Sequence, residues 1–184
     1  MIIDSRQATE ALDEIDAIVR RVRQSRIYDL ASLLAILWGA LTFGGYVATF
    51  LWPRHAGYAW LAVYVAGIAG WLAIMALGYR RSGVRAYDFR IFAAFALFFG
   101  FGFLWTTGIA HLAARQLSAF WPTYYMLVYT IVGLWVGSAF VAIGLSITAL
   151  TLIGYFFAGN WFDLWMAVVN GGGLILGGLW MRRS

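Results

Sequence analysis

The chain has 184 residues, 63% of them hydrophobic and 11% charged, whereas a soluble domain is roughly half apolar and about a quarter charged. Mean hydropathy is +0.79, which marks an integral membrane protein, and spans of roughly 20 residues each use up the length and exclude a tethered soluble enzyme. The net charge of +5 comes entirely from thirteen Arg without any Lys. These flank apolar segments, so the expected partner is the lipid bilayer and not nucleic acid.

Residues 1–29 carry many charges and no apolar core, which is not the pattern of a cleavable signal. A helix over residues 5 to 28 is expected: Asp4 can cap it, Gln7 has capping-box spacing, and Glu10, Asp13, Glu14 and Asp16 precede Arg20, Arg21, Arg23 and Arg26. Ala8, Leu12, Ile15, Val19 and Val22 recur at steps of four and three, a narrow seam with the 3.5-residue period of a coiled coil. The same pattern suits an amphipathic helix lying on the cytoplasmic leaflet with its Arg toward anionic headgroups.

Residues 30–184 then form a transmembrane domain, predicted as all-α with six spans arranged as three hairpins. The first span runs from about Leu30 to Trp52, and Pro53-Arg54-His55-Ala56-Gly57 turns it into a second from about Tyr58 to Gly78. An Arg-rich segment from Tyr79 to Arg90 precedes a third span from about Ile91 to His111. No charge occurs from Gln116 to Phe162, a run too long for one helix but right for two spans of ~18 residues joined near Gly137-Ser138. The sixth span runs from about Phe162 to Met181. Five Arg before the first span, four in the 79–90 segment and two at the C-terminus would share one side, against Arg54 and Arg115 on the other. By the positive-inside rule both termini are expected in the cytoplasm, with a bacterial inner membrane as the location. Trp52, Trp121, Trp161 and Trp165 would then form an aromatic belt at the outer interface.

Ala40-Leu41-Thr42-x-x-Gly45-Tyr46 recurs as Ala149-Leu150-Thr151-x-x-Gly154-Tyr155, and Arg80-Arg81-Ser82 recurs as Arg182-Arg183-Ser184. Trp121-Pro122 matches Trp52-Pro53, which would place it at an outer turn. An internal hairpin repeat is therefore expected. Gly133-x-x-x-Gly137, Gly173-x-x-x-Gly177 and Ala62-x-x-x-Ala66-x-x-x-Gly70 offer close-packing faces, within the protomer or between copies of a homo-oligomer.

The chemistry is sparse. His55 and His111 fall near the outer face, with Asp163 as the nearest acidic residue that could join them; ordinary interfacial roles are expected, with no metal and no cofactor. Asn170 stands near the middle of the sixth span beside Gly171-Gly172-Gly173, where an amide either orients a ligand or bonds a neighbouring helix. Trp105, Thr106, Tyr125, Tyr129 and Trp135, with Thr107 and Tyr124, give the third and fourth spans an aromatic, hydroxyl-bearing character. With Asn170 they form a candidate binding set for a small uncharged or aromatic solute, although Thr can instead bond its own helix and Tyr or Trp can fill helix contacts. No charged side chain lies between span ends and no catalytic constellation occurs, so a non-enzymatic role is expected. The role expected is binding or passing such a solute; the alternative is a regulatory or scaffold subunit of a membrane complex that docks through the N-terminal helix.

Overall fold

The computed structural model describes residues 5–82 and 89–183, and over them it contains helices and short turns with no strand. The expected Asp4 cap lies outside the described residues. Helix α1 is Ser5–Leu51, 47 residues without a break, about 70 Å long at 1.5 Å per residue. The charged N-terminal segment and the first apolar span are thus one element. Neither Gly nor Pro interrupts residues 5–38, so nothing in the local chemistry stops the helix at the boundary between them.

A tight turn at Pro53–His55 leads to α2, Ala56–Ser82. Pro53 occupies the first position of this turn, where its missing N–H costs nothing. Helix α3, Phe89–Phe103, widens into a π-helical turn at Leu104–Ile109 and ends by His111, whose φ of 45° breaks the helical path. Helices α4, Ala114–Val136, and α5, Ser138–Phe157, are separated by one residue. That residue is Gly137, at φ 156° and ψ 155°, a conformation essentially reserved for glycine. The expected division of the charge-free run therefore falls where the sequence placed it. After a turn at Gly159–Trp161 come α6, Phe162–Met166, a π-helical turn at Ala167–Gly172, and α7, Gly173–Met181.

Five helical segments are long and apolar enough to cross a membrane: Ile27–Leu51, Pro53–Leu77, Ala114–Val136, Ser138–Phe157 and Gly159–Met181. The chain is accordingly a helical membrane protein. The expected third span is represented by Ala93–Ile109, which is apolar but shorter.

Helix α1 lies at the centre, against α7, the second π-helical turn, α6 and α2, while α4 and α5 form a closely packed hairpin. Where α1 meets the π-helical turn the backbones nearly touch: a Cβ on Gly171 would come within 2.6 to 2.8 Å of Phe43 backbone and Cβ atoms, and one on Gly39 within 2.8 Å of the Gly171 carbonyl. Only glycine permits that approach, which places α1 directly over the deepest polar residue of the last span. Ser32 reinforces the contact by donating its hydroxyl to the Gly178 carbonyl at 2.7 Å. Two apolar clusters flank this axis. One joins Ala35, Met126, Phe140, Ile143, Ile147 and Leu174; the other joins Tyr46, Ala119, Phe162, Met166 and Ala167.

Trp121-Pro122 does not stand at a turn. Helix α4 begins at Ala114, so Pro122 is buried inside it. Trp52 and Trp161 are exposed, as an interfacial belt requires, but Trp165 donates its indole N–H to the Leu150 carbonyl at 2.8 Å and Trp121 is wedged among Phe99, Phe103 and Tyr125.

Candidate functional site

The chemistry of the bundle interior begins with Pro122. A proline inside a helix has no N–H for the carbonyl four residues earlier, here Ser118. In an apolar medium an unpaired carbonyl costs several kcal/mol, roughly, unless another donor reaches it. Tyr46 of α1 is that donor, its hydroxyl giving a 3.0 Å hydrogen bond to the Ser118 carbonyl oxygen. The phenol oxygen then has lone pairs free, and a side-chain hydrogen bond links it to Asn170 in the π-helical turn. Because the tyrosine proton is already given to Ser118, the amide N–H of Asn170 is the donor in this second bond.

Three elements meet in one relay: Asn170, then Tyr46, then the carbonyl freed by Pro122. Tyr46 is 2% exposed and Asn170 is 6% exposed. Trp60 of α2 closes the node from the side, its ring edge-on to Tyr46 at 4.9 Å and its indole N–H donating to Thr49 at 3.1 Å. A π-helical turn carries one extra residue and loses the regular carbonyl pairing of the α-helix, which suits the place where a side-chain amide faces inward.

The other candidate residues fall in different surroundings. Thr106 is buried but gives its hydroxyl to the Gly102 carbonyl of its own helix at 2.8 Å, and Thr107 does the same with Phe103 at 2.7 Å. Tyr125 packs among Phe98, Phe99 and Trp121 at centroid distances of 5.4, 5.8 and 6.0 Å. Tyr124 stacks on Phe98 and donates to its carbonyl. Tyr129 lies against Phe140 at 5.6 Å. Trp105 and Trp135 face outward, 52% and 79% exposed. Tyr124 and Tyr125 thus join α4 to α3 and Tyr129 joins it to α5, while Asn170 belongs to the relay with α1.

At the α1–α2 turn, an open groove of about 520 Å³ is lined by Ala48, Trp52, His55, Tyr58 and Ala59. His55 and His111 are both exposed, and among the described residues no group of three or more His, Cys, Asp or Glu could hold a metal ion. Nearby, Arg115 donates to the Tyr155 carbonyl at 2.8 Å and lies over the rings of Tyr155 and Phe162 at 5.5 and 5.2 Å, clamping the start of α4 to the α5–α6 turn.

One buried group stands apart. The Thr151 hydroxyl is fully buried and has no hydrogen-bond partner among the described residues. Its counterpart in the repeated sequence, Thr42, bonds the Trp38 carbonyl at 2.8 Å.

Sequence reasoning found Asn170 but missed Tyr46 and Pro122. The available signal was a proline eight residues into an apolar helix, which implies an orphan carbonyl at Ser118 and hence a donor on a neighbouring helix. No protein-family profile, no curated protein and no solved structure matches this chain.

Proposed function

We propose that this protein is a non-enzymatic regulatory or scaffold subunit of a membrane complex, docking through the N-terminal part of α1. The observation that carries the reading is the continuity of α1 from Ser5 to Leu51. A charged, seam-bearing segment joined to a central span without a hinge transmits position between the bundle and whatever grips the segment. The interior supports the same reading, because Tyr46 bonds both the Ser118 carbonyl and Asn170 across helices, contacts that serve to fix the bundle.

The topology that belongs to this proposal has six spans in three hairpins, with Ala93–Ile109 as the short third span and both termini in the cytoplasm of a bacterial inner membrane. Its support is the distribution of eleven Arg against two. The hairpin repeat is supported by a shared lock. In α1–α2 a tryptophan of the second helix, Trp60, lies against Gly45 of the first, and in α5–α6 Trp165 lies against Gly154.

The test is purification of the gently extracted full-length protein beside a variant lacking residues 5–25 and beside Asn170→Ala. Docking predicts that co-purifying subunits are lost with the deletion and retained with Asn170→Ala. The opposite dependence would favour a second reading, in which the protein binds or passes a small uncharged or aromatic molecule. What favours that reading is the unpartnered Thr151 hydroxyl on α5, a helix that packs against the π-helical turn carrying Asn170.

A further inference from the structure

We infer that the groove at the α1–α2 turn is the seat of one phospholipid, its phosphate held at Arg54 and His55 and its glycerol end lying on Ala48 and Ala59. The groove belongs neither to the N-terminal arm nor to the interior relay. Its form follows from residue size at helical spacing. Ala48 and Trp52 stand four positions apart where α1 ends, and Tyr58 and Ala59 stand three and four positions beyond His55 where α2 begins. The two alanines are small and half-buried, which leaves space between the helix ends. Trp52 and Tyr58, 60% and 75% exposed, line the same space with rings that the bundle does not cover.

Depth limits what can meet this groove. One membrane-length segment ends at Leu51 and the next begins at Pro53, so in a chain that crosses the bilayer the turn between them lies among the headgroups. Ala48 and Ala59 are about one helical turn further toward the hydrocarbon. Amphipathic rings such as those of Trp52 and Tyr58 are favoured at that level, and the groove volume of about 520 Å³ is that of a small-ligand site.

Charge selects the occupant. Phe50 stacks on Trp161 at 5.6 Å, so the end of α1 and the start of α6 lie at the same end of the molecule. The acidic residue there, Asp163, has Arg115 as its electrostatic partner. Arg54 is exposed and makes no ion pair among the described residues. A guanidinium without a counter-charge at headgroup depth takes phosphate oxygens through its fork of N–H donors, and the His55 ring supplies a further donor. A wholly apolar guest would leave Arg54 uncompensated, and a free anion would leave the alanines and both rings uncovered. A phospholipid satisfies the two requirements together.

The test compares two photoreactive lipids with identical chains carrying a diazirine near the glycerol, one a phospholipid and the other a diacylglycerol without phosphate. Full-length protein in nanodiscs is irradiated with each, and the adducts are mapped by peptide mass spectrometry. The phospholipid is predicted to label residues 48–59 at least fivefold more than the diacylglycerol, while the other span ends take both probes alike. Equal labelling of residues 48–59 by the two probes would overturn the inference, and this comparison needs no variant. Arg54→Gln together with His55→Gln is predicted to erase the preference; a preference that survives would overturn the assignment of the phosphate. Ala59→Phe fills the floor while leaving Arg54 and His55 in place, and is predicted to lower phospholipid labelling there to the level of the other span ends. Undiminished labelling in that variant would show that the lipid does not lie in the groove. Inorganic phosphate is predicted not to compete with the phospholipid probe; competition as strong as that of unlabelled phospholipid would mark a free-anion site and overturn the proposal.

Discussion

At the scale of single residues, Pro122 and Tyr46, 76 positions apart in the sequence, meet at the Ser118 carbonyl. Tyr46→Phe removes the donor for the Ser118 carbonyl and should cost about 1 to 2 kcal/mol of stability, the range for a lost buried hydrogen bond. Pro122→Ala restores an N–H within α4 for the same carbonyl. The cost of Tyr46→Phe should therefore shrink by half or more in the Pro122→Ala background, and denaturation in mixed micelles across the four variants measures it. Equal costs in both backgrounds would show that Tyr46 does not act through the freed carbonyl. The three glycines after Asn170 make a second contrast. Gly171 abuts Phe43 at 2.6 to 2.8 Å whereas Gly172 has nothing within 4 Å. Gly171→Ala should destabilise by about 1 to 3 kcal/mol through overpacking, and Gly172→Ala should be neutral or stabilising. Near-equal midpoints for the two would contradict the close approach of α1 to this turn.

At the scale of elements, what was legible followed from local patterns and what was not required a partner elsewhere in the chain. The break between α4 and α5 could be read because a charge-free run of that length has to turn, and Gly137 supplies the backbone conformation. Trp121-Pro122 was misread as a turn because Trp52-Pro53 is one. The two dipeptides are alike locally, and only the Tyr46 hydroxyl, arriving from α1, allows the second to sit inside a helix. Asn170 was legible as a buried amide, but its bond to Tyr46 was not, since polarity at mid-span announces a need for a partner without naming it. The aromatics of α3 and α4 illustrate the limit in the other direction: composition suggested a lining, while geometry makes Tyr124, Tyr125 and Trp121 the contact between two helices. Arg115→Ala removes the bond to the Tyr155 carbonyl and the contacts with two rings, so protease sensitivity at the α5–α6 turn should rise several-fold while the middle of the bundle stays protected, which limited proteolysis reads directly. Unchanged cleavage would mean the clamp carries no load.

At the scale of the whole molecule, the central claim is that the arm and the first span are one rigid helix, which separates a docking arm from a segment folded down on the leaflet. Breaking it should matter for assembly and not for the bundle: replacing Gln24-Ser25 with Gly-Pro is expected to reduce co-purifying subunits several-fold while leaving the unfolding midpoint of the bundle unchanged. A loss of bundle stability would show that the arm packs back onto the membrane domain. The most direct measurement is a distance within α1. Glu14 and Leu51 are both exposed, and spin labels on cysteines at these two positions, diluted with unlabelled protein to suppress signals between copies, report it by pulsed electron resonance in lipid nanodiscs. A continuous helix predicts one narrow distribution near about 56 Å, from 37 steps of 1.5 Å. A broad distribution, or one centred below about 45 Å, far short of that helical rise, would place the arm on the membrane surface and contradict the account.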